Sequence, residues 1–300
     1  MSEANDWEQF SLLGVKVVYR GLRDTIRLAK GPGEVVGVIQ AFAKAATFKP
    51  TGGPPEARDH VLRLNGVTHV LGLRTGEMFT PVEIYQDAVY DKLPDFVTQP
   101  GWVVMDVGAN AGVFSVQQAR RGARVYSFEP NPDCFRRLRK AVAANGVDHL
   151  VTASNCALGS RPGTAKLSVP QGVTTMGSIR PEWTPGDGED DVTVELETVD
   201  GAIRRSGIGR VDLLKIDVEG LEIDVLGGAA ESLARVDRVV IEYHSMELGR
   251  LVHDVLSGHG LVPVLDEPLY RGDENKFKGV GRGVLFASRR PGASGIARPS

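Results

Sequence analysis

The sequence predicts an α/β fold with a mostly parallel sheet and helices on both faces, and three observations carry it. Trp102 to Met105 is an apolar run too short for a helix, followed by the turn Gly108-Ala109-Asn110-Ala111-Gly112 and a helical stretch, Val113 to Arg121. A second short run, Arg124 to Phe128, ends in the acid Glu129. From residue 101 onward, strand-like and helix-like segments alternate, the pattern of a sheet covered on both sides.

The elements follow in order. Residues 7 to 47 read as two helices interrupted by Gly31-Pro32-Gly33, and Thr51 to Pro55 as a linker. His60 to Leu73 reads as a pair of strands around the hairpin signal Asn65-Gly66, and Thr80 to Leu93 as a helix with Pro81 in its first turn. Residues 1 to 100 are thus expected to form a helical and hairpin cap on a main domain of residues 101 to 288. In that domain Pro132 to Asn145 is a helix, and Leu150 to Asn155 a third strand. Thr164 to Val169 and Val192 to Glu197 are strands flanking a polar insertion, Gln171 to Asp191, placed where a lid over the acceptor would form. Val211 to Val218 and Val236 to Tyr243 are strongly apolar strands. Helices are expected over Leu221 to Leu233, with Gly227-Gly228 as a break, and over Met246 to Leu256. Leu261 to Leu265 and Gly283 to Ser288 close the sheet, joined by a long loop that favours an antiparallel last strand. Arg289 to Ser300 reads as a disordered tail.

Composition bounds the function. A hydrophobic fraction of 42% and a charged fraction of 24% are those of a globular protein. A net charge of -3 gives no electrostatic case for a nucleic-acid partner. No apolar run approaches the roughly 20 residues of a membrane span, and the polar N-terminus is no signal peptide. Cys134 and Cys156 make no metal or redox motif, which fits a reducing compartment. The expected location is the cytoplasm.

The strand, glycine turn and helix form the first half of a nucleotide-binding unit. The turn departs from the dinucleotide fingerprint G-x-G-x-x-G, because Asn110 stands where a pyrophosphate needs open backbone. Asp106 would repel a diphosphate but accept from an ammonium group. Glu129 stands where a ribose diol needs an acceptor. A cofactor with no phosphate, an amino-acid end and an adenosine end fits, which describes S-adenosylmethionine. An ordinary βα turn without ligand, a nicotinamide-dependent oxidoreductase and a non-catalytic cofactor-binding subunit are the competing readings.

Five segments then resemble one family in its own order. DVGANAG (Asp106–Gly112), FEPNP (Phe128–Pro132), NCALG (Asn155–Gly159), LLKIDVEGLEIDVLGGA (Leu213–Ala229) and VVIEYH (Val239–His244) are similar to FkbM-type methyltransferases, over roughly residues 100 to 265. The resemblance implies a Rossmann-like class I methyltransferase fold with a mostly parallel seven-stranded sheet and an antiparallel last strand. It also implies O-methylation of a hydroxyl on a natural product or sugar, with N-methylation of a related molecule as the alternative.

By position, Asp106 and Gly108 are expected beside the methionine portion of the cofactor, and Glu129 on the ribose diol. Asn131 supports the adenosine edge; Asn155, Ala157 and Leu158 lie where adenine would sit. Asn110, Gly112, Pro130 and Asp217 complete the cofactor-binding set. An alkyl hydroxyl is a poor nucleophile, and His244, which ordinarily titrates near neutrality, is the first candidate for a general base. Asp217 is the second, as base or as orienter of the acceptor. No metal is required by this reading, although Asp217, Glu219, Glu242 and His244 allow a divalent ion. Tyr85 and Tyr90 are expected to line the acceptor side. The partner is a small-molecule hydroxyl acceptor.

Overall fold

The computed structural model describes residues 21–47, 59–72, 77, 79–168, 179, 192–268 and 281–289. The chain divides into two compact units, Met1–Ala88 and Val89–Ser300.

The first unit contains a helix over residues 21–27 (α1), the helix α2 (Pro32–Thr47), a hairpin of β1 (His60–Leu64) and β2 (Val67–Leu71), and the short helix α3 (Thr80–Tyr85). Asn65 and Gly66 turn the hairpin with φ of 54° and 74°, the left-handed pair an Asn-Gly turn requires. Glu34 in the first turn of α2 accepts from the backbone N–H groups of Asn65 and Gly66, both at 3.1 Å, so the helix caps the turn. The helix expected over Thr80 to Leu93 stops at Tyr85: Ala88 takes a left-handed φ of 49°, which no continuing helix accommodates.

The second unit is a seven-stranded sheet in the order β11-β12-β10-β9-β3-β4-β5. Its strands are β3 (Val103–Val107), β4 (Arg124–Phe128), β5 (Val151–Ser154), β9 (Leu213–Ile216), β10 (Arg238–Tyr243), β11 (Val262–Pro268) and β12 (Gly283–Ser288). Only β12 runs against its neighbours, pairing antiparallel with both β10 and β11, as the sequence led us to expect. Helices α4 (Val113–Arg120), α5 (Pro132–Ala144), α6 (Val199–Arg205), α7 (Glu222–Gly227) and α8 (Met246–Gly258) connect the strands. From β3 the chain proceeds to β4 and β5 on one side, then crosses to β9 on the other. This reversal makes the carboxyl ends of β3, β4 and β9 the ligand-binding edge.

A second, three-stranded sheet of β6 (Ala157–Leu158), β8 (Val192–Glu197) and β7 (Gly163–Leu167) was not foreseen as a separate layer. Its pairing of β6 with β8 brings Ala157 and Leu158 back to the edge of the main sheet's ligand side.

Two boundaries differ from expectation, and a third falls at an expected break. β3 does not stop with the apolar run at Met105; the strand continues through Asp106 to Val107, paired with Phe128 and Ile216. α6 was missed, although Thr198 caps it by accepting from Gly201 N–H and the apolar positions 199, 202 and 203 have helical spacing. The helix expected from Leu221 breaks where the sequence placed a break, ending at Gly227 before Gly228. Gly228 lies so close to Gly159 that a Cβ on it would stand 2.0 Å from the Gly159 carbonyl oxygen, and a 3-10 turn (Leu233–Arg235) follows. The linker Thr51 to Pro55, the tail beyond residue 289 and, apart from Ile179, the insertion Gln171 to Asp191 lie outside the described residues.

Candidate active site

Two turns build the cofactor side. Asn110, with φ of 50°, donates its backbone N–H to Glu129 Oε2 at 2.7 Å, and Asn131 donates its own to Glu129 Oε1 at 2.7 Å. Burial nevertheless pushes the Glu129 carboxyl up to about 7, because desolvation outweighs these two donors. A buried carboxylate with spare acceptor capacity at the wall of a cavity is suited to two more donors. Around it the cavity is lined by Phe128, Pro130, Ala157 and Leu158 on the apolar side, and by Gly108, Asn110 and Asp217 opposite.

Several residues do their work behind this wall. Asn131 is the N-cap of α5: its Oδ1 accepts from Asp133 N–H at 2.9 Å and Cys134 N–H at 3.4 Å. Asn155 Nδ2 donates to the carbonyls of Glu129 at 2.8 Å and Pro130 at 3.0 Å, so it pins the acidic loop; it does not line the cavity. The glycines are required by protein contacts. A Cβ on Gly108 (φ 79°) would stand 1.8 Å from the Asp217 carbonyl oxygen, and one on Gly112 (φ 81°) 2.8 Å from Leu138 Cγ.

Asp106 is placed otherwise than expected. It is fully buried beneath the turn, where Oδ1 pairs with Lys215 Nζ at 3.1 Å and Oδ2 accepts from Ser115 Oγ at 2.5 Å. The ammonium group it meets is therefore that of Lys215, which also donates to the Gly108 carbonyl at 2.8 Å. Burial disfavours the Lys215 charge, but Asp106 and Asp217 outweigh it and hold its pKa above the ordinary lysine value.

The acceptor side lies at the ends of β9 and β10. β9 ends at Ile216, so Asp217 and Glu219 reach the site from the turn that follows, where Glu219 takes a left-handed φ of 48°. Burial raises the Asp217 pKa, yet Lys215, His244 and Arg282 outweigh it and keep the carboxyl below its usual value. Tyr90 Oη donates to Asp217 Oδ2 at 3.1 Å and stands 3.3 Å from Glu242 Oε2. His244 is 2% exposed. Its Nδ1 lies 2.7 Å from Glu222 Oε1, and its Nε2 3.2 Å from Glu219 Oε2 and 2.8 Å from Arg282 Nη2. Burial opposes an imidazolium, but Glu219 and Glu222 prevail and push the pKa up to about 10.

That value removes the reason for choosing His244 as a base, which was titration near neutrality. An imidazolium and a guanidinium 2.8 Å apart repel, however, so the Arg282 contact is attractive only with a lone pair on Nε2. The ring faces an acceptor and a donor at once, and what binds there decides its charge. The structure thus brings together Asp217, Glu219, Glu242 and His244, and adds Tyr90, Glu222 and Arg282. Tyr90 was expected on the acceptor side; Tyr85, expected there too, belongs to the first unit, where it packs on His69 with ring centroids 5.5 Å apart. Nothing in the sequence pattern distinguished Glu222 from an ordinary first-turn acid, or Arg282 from loop charge.

A doubly wound sheet with a lone antiparallel strand, and a cavity at the carboxyl ends of its central strands, is the architecture of a class I S-adenosylmethionine-dependent methyltransferase. The methyltransferase FkbM domain matches residues 106–259, and the chain belongs to that family. It is 33% identical over 249 residues, 71% of this chain and 93% of that protein, to 31-O-demethyl-FK506 methyltransferase FkbM of Streptomyces tacrolimicus. It is 30% identical over 187 residues to methyltransferase sdnD of Sordaria araneosa, covering 53% of this chain and 71% of that protein. It is 27% identical over 176 residues to 2-O-methyltransferase NoeI of Sinorhizobium fredii, covering 53% and 70% respectively. Family membership sets aside the oxidoreductase reading. No helix among the described residues is long and apolar enough to cross a membrane, and Cys134 and Cys156 are buried and not disulfide-linked.

Proposed function

We propose that the protein transfers the methyl group of S-adenosylmethionine to a hydroxyl oxygen of a small natural product or sugar. In this reading Glu129 takes the two ribose hydroxyls and Ala157 and Leu158 flank the adenine. Gly108 and Asn110 bound the methionine end.

The observation that carries the acceptor class is the polar wall continuing from the cavity. Asp217 lines the cavity and joins Tyr90, Glu242, His244 and Arg282, a set of closely spaced donors and acceptors suited to a polyhydroxylated molecule. The names of two relatives, a 31-O-demethyl-FK506 methyltransferase and a 2-O-methyltransferase, point to the same class. The chemistry asks mainly for alignment. The acceptor O–H gives up its proton to Asp217, a carboxylate that lines the cavity, and oxygen bonds to the methyl carbon. The carbon–sulfur bond breaks with its electron pair on sulfur, leaving a methyl ether and S-adenosylhomocysteine.

The test is transfer of a labelled methyl group to a panel of glycosides, macrocyclic polyols and matched amines, with products located by mass spectrometry. Methyl ethers on the hydroxyl compounds support the reading. Methylation of the amines alone would overturn it.

A further inference from the structure

We propose that Asp217, Glu242 and His244 form a binding site for a hard divalent cation of the Mg2+ or Mn2+ type, beside the cofactor cavity. One ligand atom from each of the three lies within 4.8 Å of the others. They come from the exits of two adjacent parallel strands, β9 and β10, whose register fixes their approach. His244 Nε2 stands 3.9 Å from Asp217 Oδ1 and 3.8 Å from Glu242 Oε1. Those separations are too long for hydrogen bonds. Neighbouring ligands of an octahedral ion bound at about 2.1 Å stand roughly 3 Å apart, so His244 needs to close on each carboxylate by only about 1 Å.

The independent observation is Glu222. It is fully buried at the start of α7, turned toward the cluster, and its Oε2 has no hydrogen-bond partner. Its Oε1 lies 2.7 Å from His244 Nδ1 and accepts from Gly220 N–H at 3.0 Å. A carboxylate on the far nitrogen is how ligating histidines are oriented, because it fixes the proton on Nδ1 and leaves the Nε2 lone pair for the metal. Tyr90 supports both carboxylates in the same manner, through its hydroxyl on Asp217 and Glu242.

The focus of the three groups already attracts positive charge. Arg282 Nη2 stands between two of them, 2.7 Å from Glu242 Oε1 and 2.8 Å from His244 Nε2, with Glu219 Oε1 3.6 Å away. A guanidinium carries one positive charge into a group of four carboxylates; a divalent ion carries two, and Arg282 has Glu219 to turn to. A ligand set of two carboxylates and one imidazole, with no thiolate, selects hard or borderline ions over soft ones.

The role of the ion rests on the methyl-transfer reading above. Three protein ligands leave positions open for the acceptor oxygen, and coordination lowers the pKa of the bound hydroxyl. With the ion bound, Asp217 serves as a ligand in place of the base, the proton leaves to water, and the base that His244 was expected to be is not needed.

The test begins with the wild-type protein and Mn2+ alone. Loss of the free-ion electron paramagnetic resonance signal on titration should give one bound ion per chain. Pulsed measurement on the bound ion should show coupling to an imidazole nitrogen. Glu242→Gln and Asp217→Asn should each weaken binding at least tenfold, and Glu222→Gln about 10- to 100-fold, with melting curves reporting whether each variant folds. No binding at millimolar Mn2+, or a bound ion without nitrogen coupling, would overturn the site without reference to any variant. Calorimetry with S-adenosylmethionine on the same samples separates the two readings: loss of cofactor binding would sink the methyltransferase function, not the metal site.

Discussion

The backbone N–H of Asn110 donates to Glu129 Oε2 over 2.7 Å, so the turn after β3 and the acid after β4 are one structure. Glu129→Ala removes the ribose acceptor and also leaves the N–H groups of Asn110 and Asn131 unpaired. We expect S-adenosylmethionine binding to weaken by about 1–3 kcal/mol, roughly 5- to 150-fold, the range for losing a charged hydrogen bond. Calorimetry measures it. Unchanged affinity would mean that the ribose lies elsewhere.

The same carboxyl makes binding depend on pH. Burial holds it near 7 in the ligand-free protein, and ribose hydroxyls donating to the charged form would lower it. Binding therefore releases a proton below pH 7. Affinity should be flat above about pH 7 and fall as the pH drops below it, by up to about tenfold per unit. The sign for folding is opposite. A carboxyl raised above its unfolded value contributes stability that is full below the ordinary carboxylate range and lost as the pH rises through 7. Calorimetry at pH 6 in two buffers of different ionisation enthalpy should show proton release, and Glu129→Gln should abolish it.

Much of this was legible in the sequence, for reasons that particular residues make clear. Arg124 to Phe128 was found at its observed limits because a short apolar run between turn residues leaves no alternative. Asn131 before Pro132 announced the start of α5 by its capping chemistry. Asp106 was recognised but misplaced. Its ammonium partner, Lys215, lies far along the chain, and only the pairing of β3 with β9 brings the two together. Glu222 and Arg282 were opaque for the same reason: each joins the acceptor side from a different element, and no local periodicity encodes convergence. The glycine turn was located correctly but for an incomplete reason, since Gly108 makes room for the Asp217 carbonyl as well as bordering the cavity.

That distinction can be tested by comparing two glycines. Gly66 and Gly108 have similar φ, 74° and 79°, but a Cβ on Gly66 meets nothing within 4 Å. Gly66→Ala should therefore cost only the left-handed penalty, about 1–2 kcal/mol. Gly108→Ala adds a clash with backbone that cannot yield without parting β3 from β9, and should destabilise by considerably more. Denaturant unfolding of the two variants compares them directly. Equal losses would mean that the turn relaxes freely.

Lys215 offers the sharpest test of what holds the site together. It and Asp106 are both buried, 3.1 Å apart, and the carboxylate has no water to fall back on. Lys215→Met should destabilise by about 3–5 kcal/mol, since it strands a buried charge. Asp106→Asn in the same chain removes that charge while keeping an acceptor for Ser115, and should restore a good part of the loss. A double-mutant cycle by denaturant unfolding measures the coupling. If the two losses simply add, the Asp217 and Gly108 contacts of Lys215 carry the stability, and the ion pair with Asp106 does not.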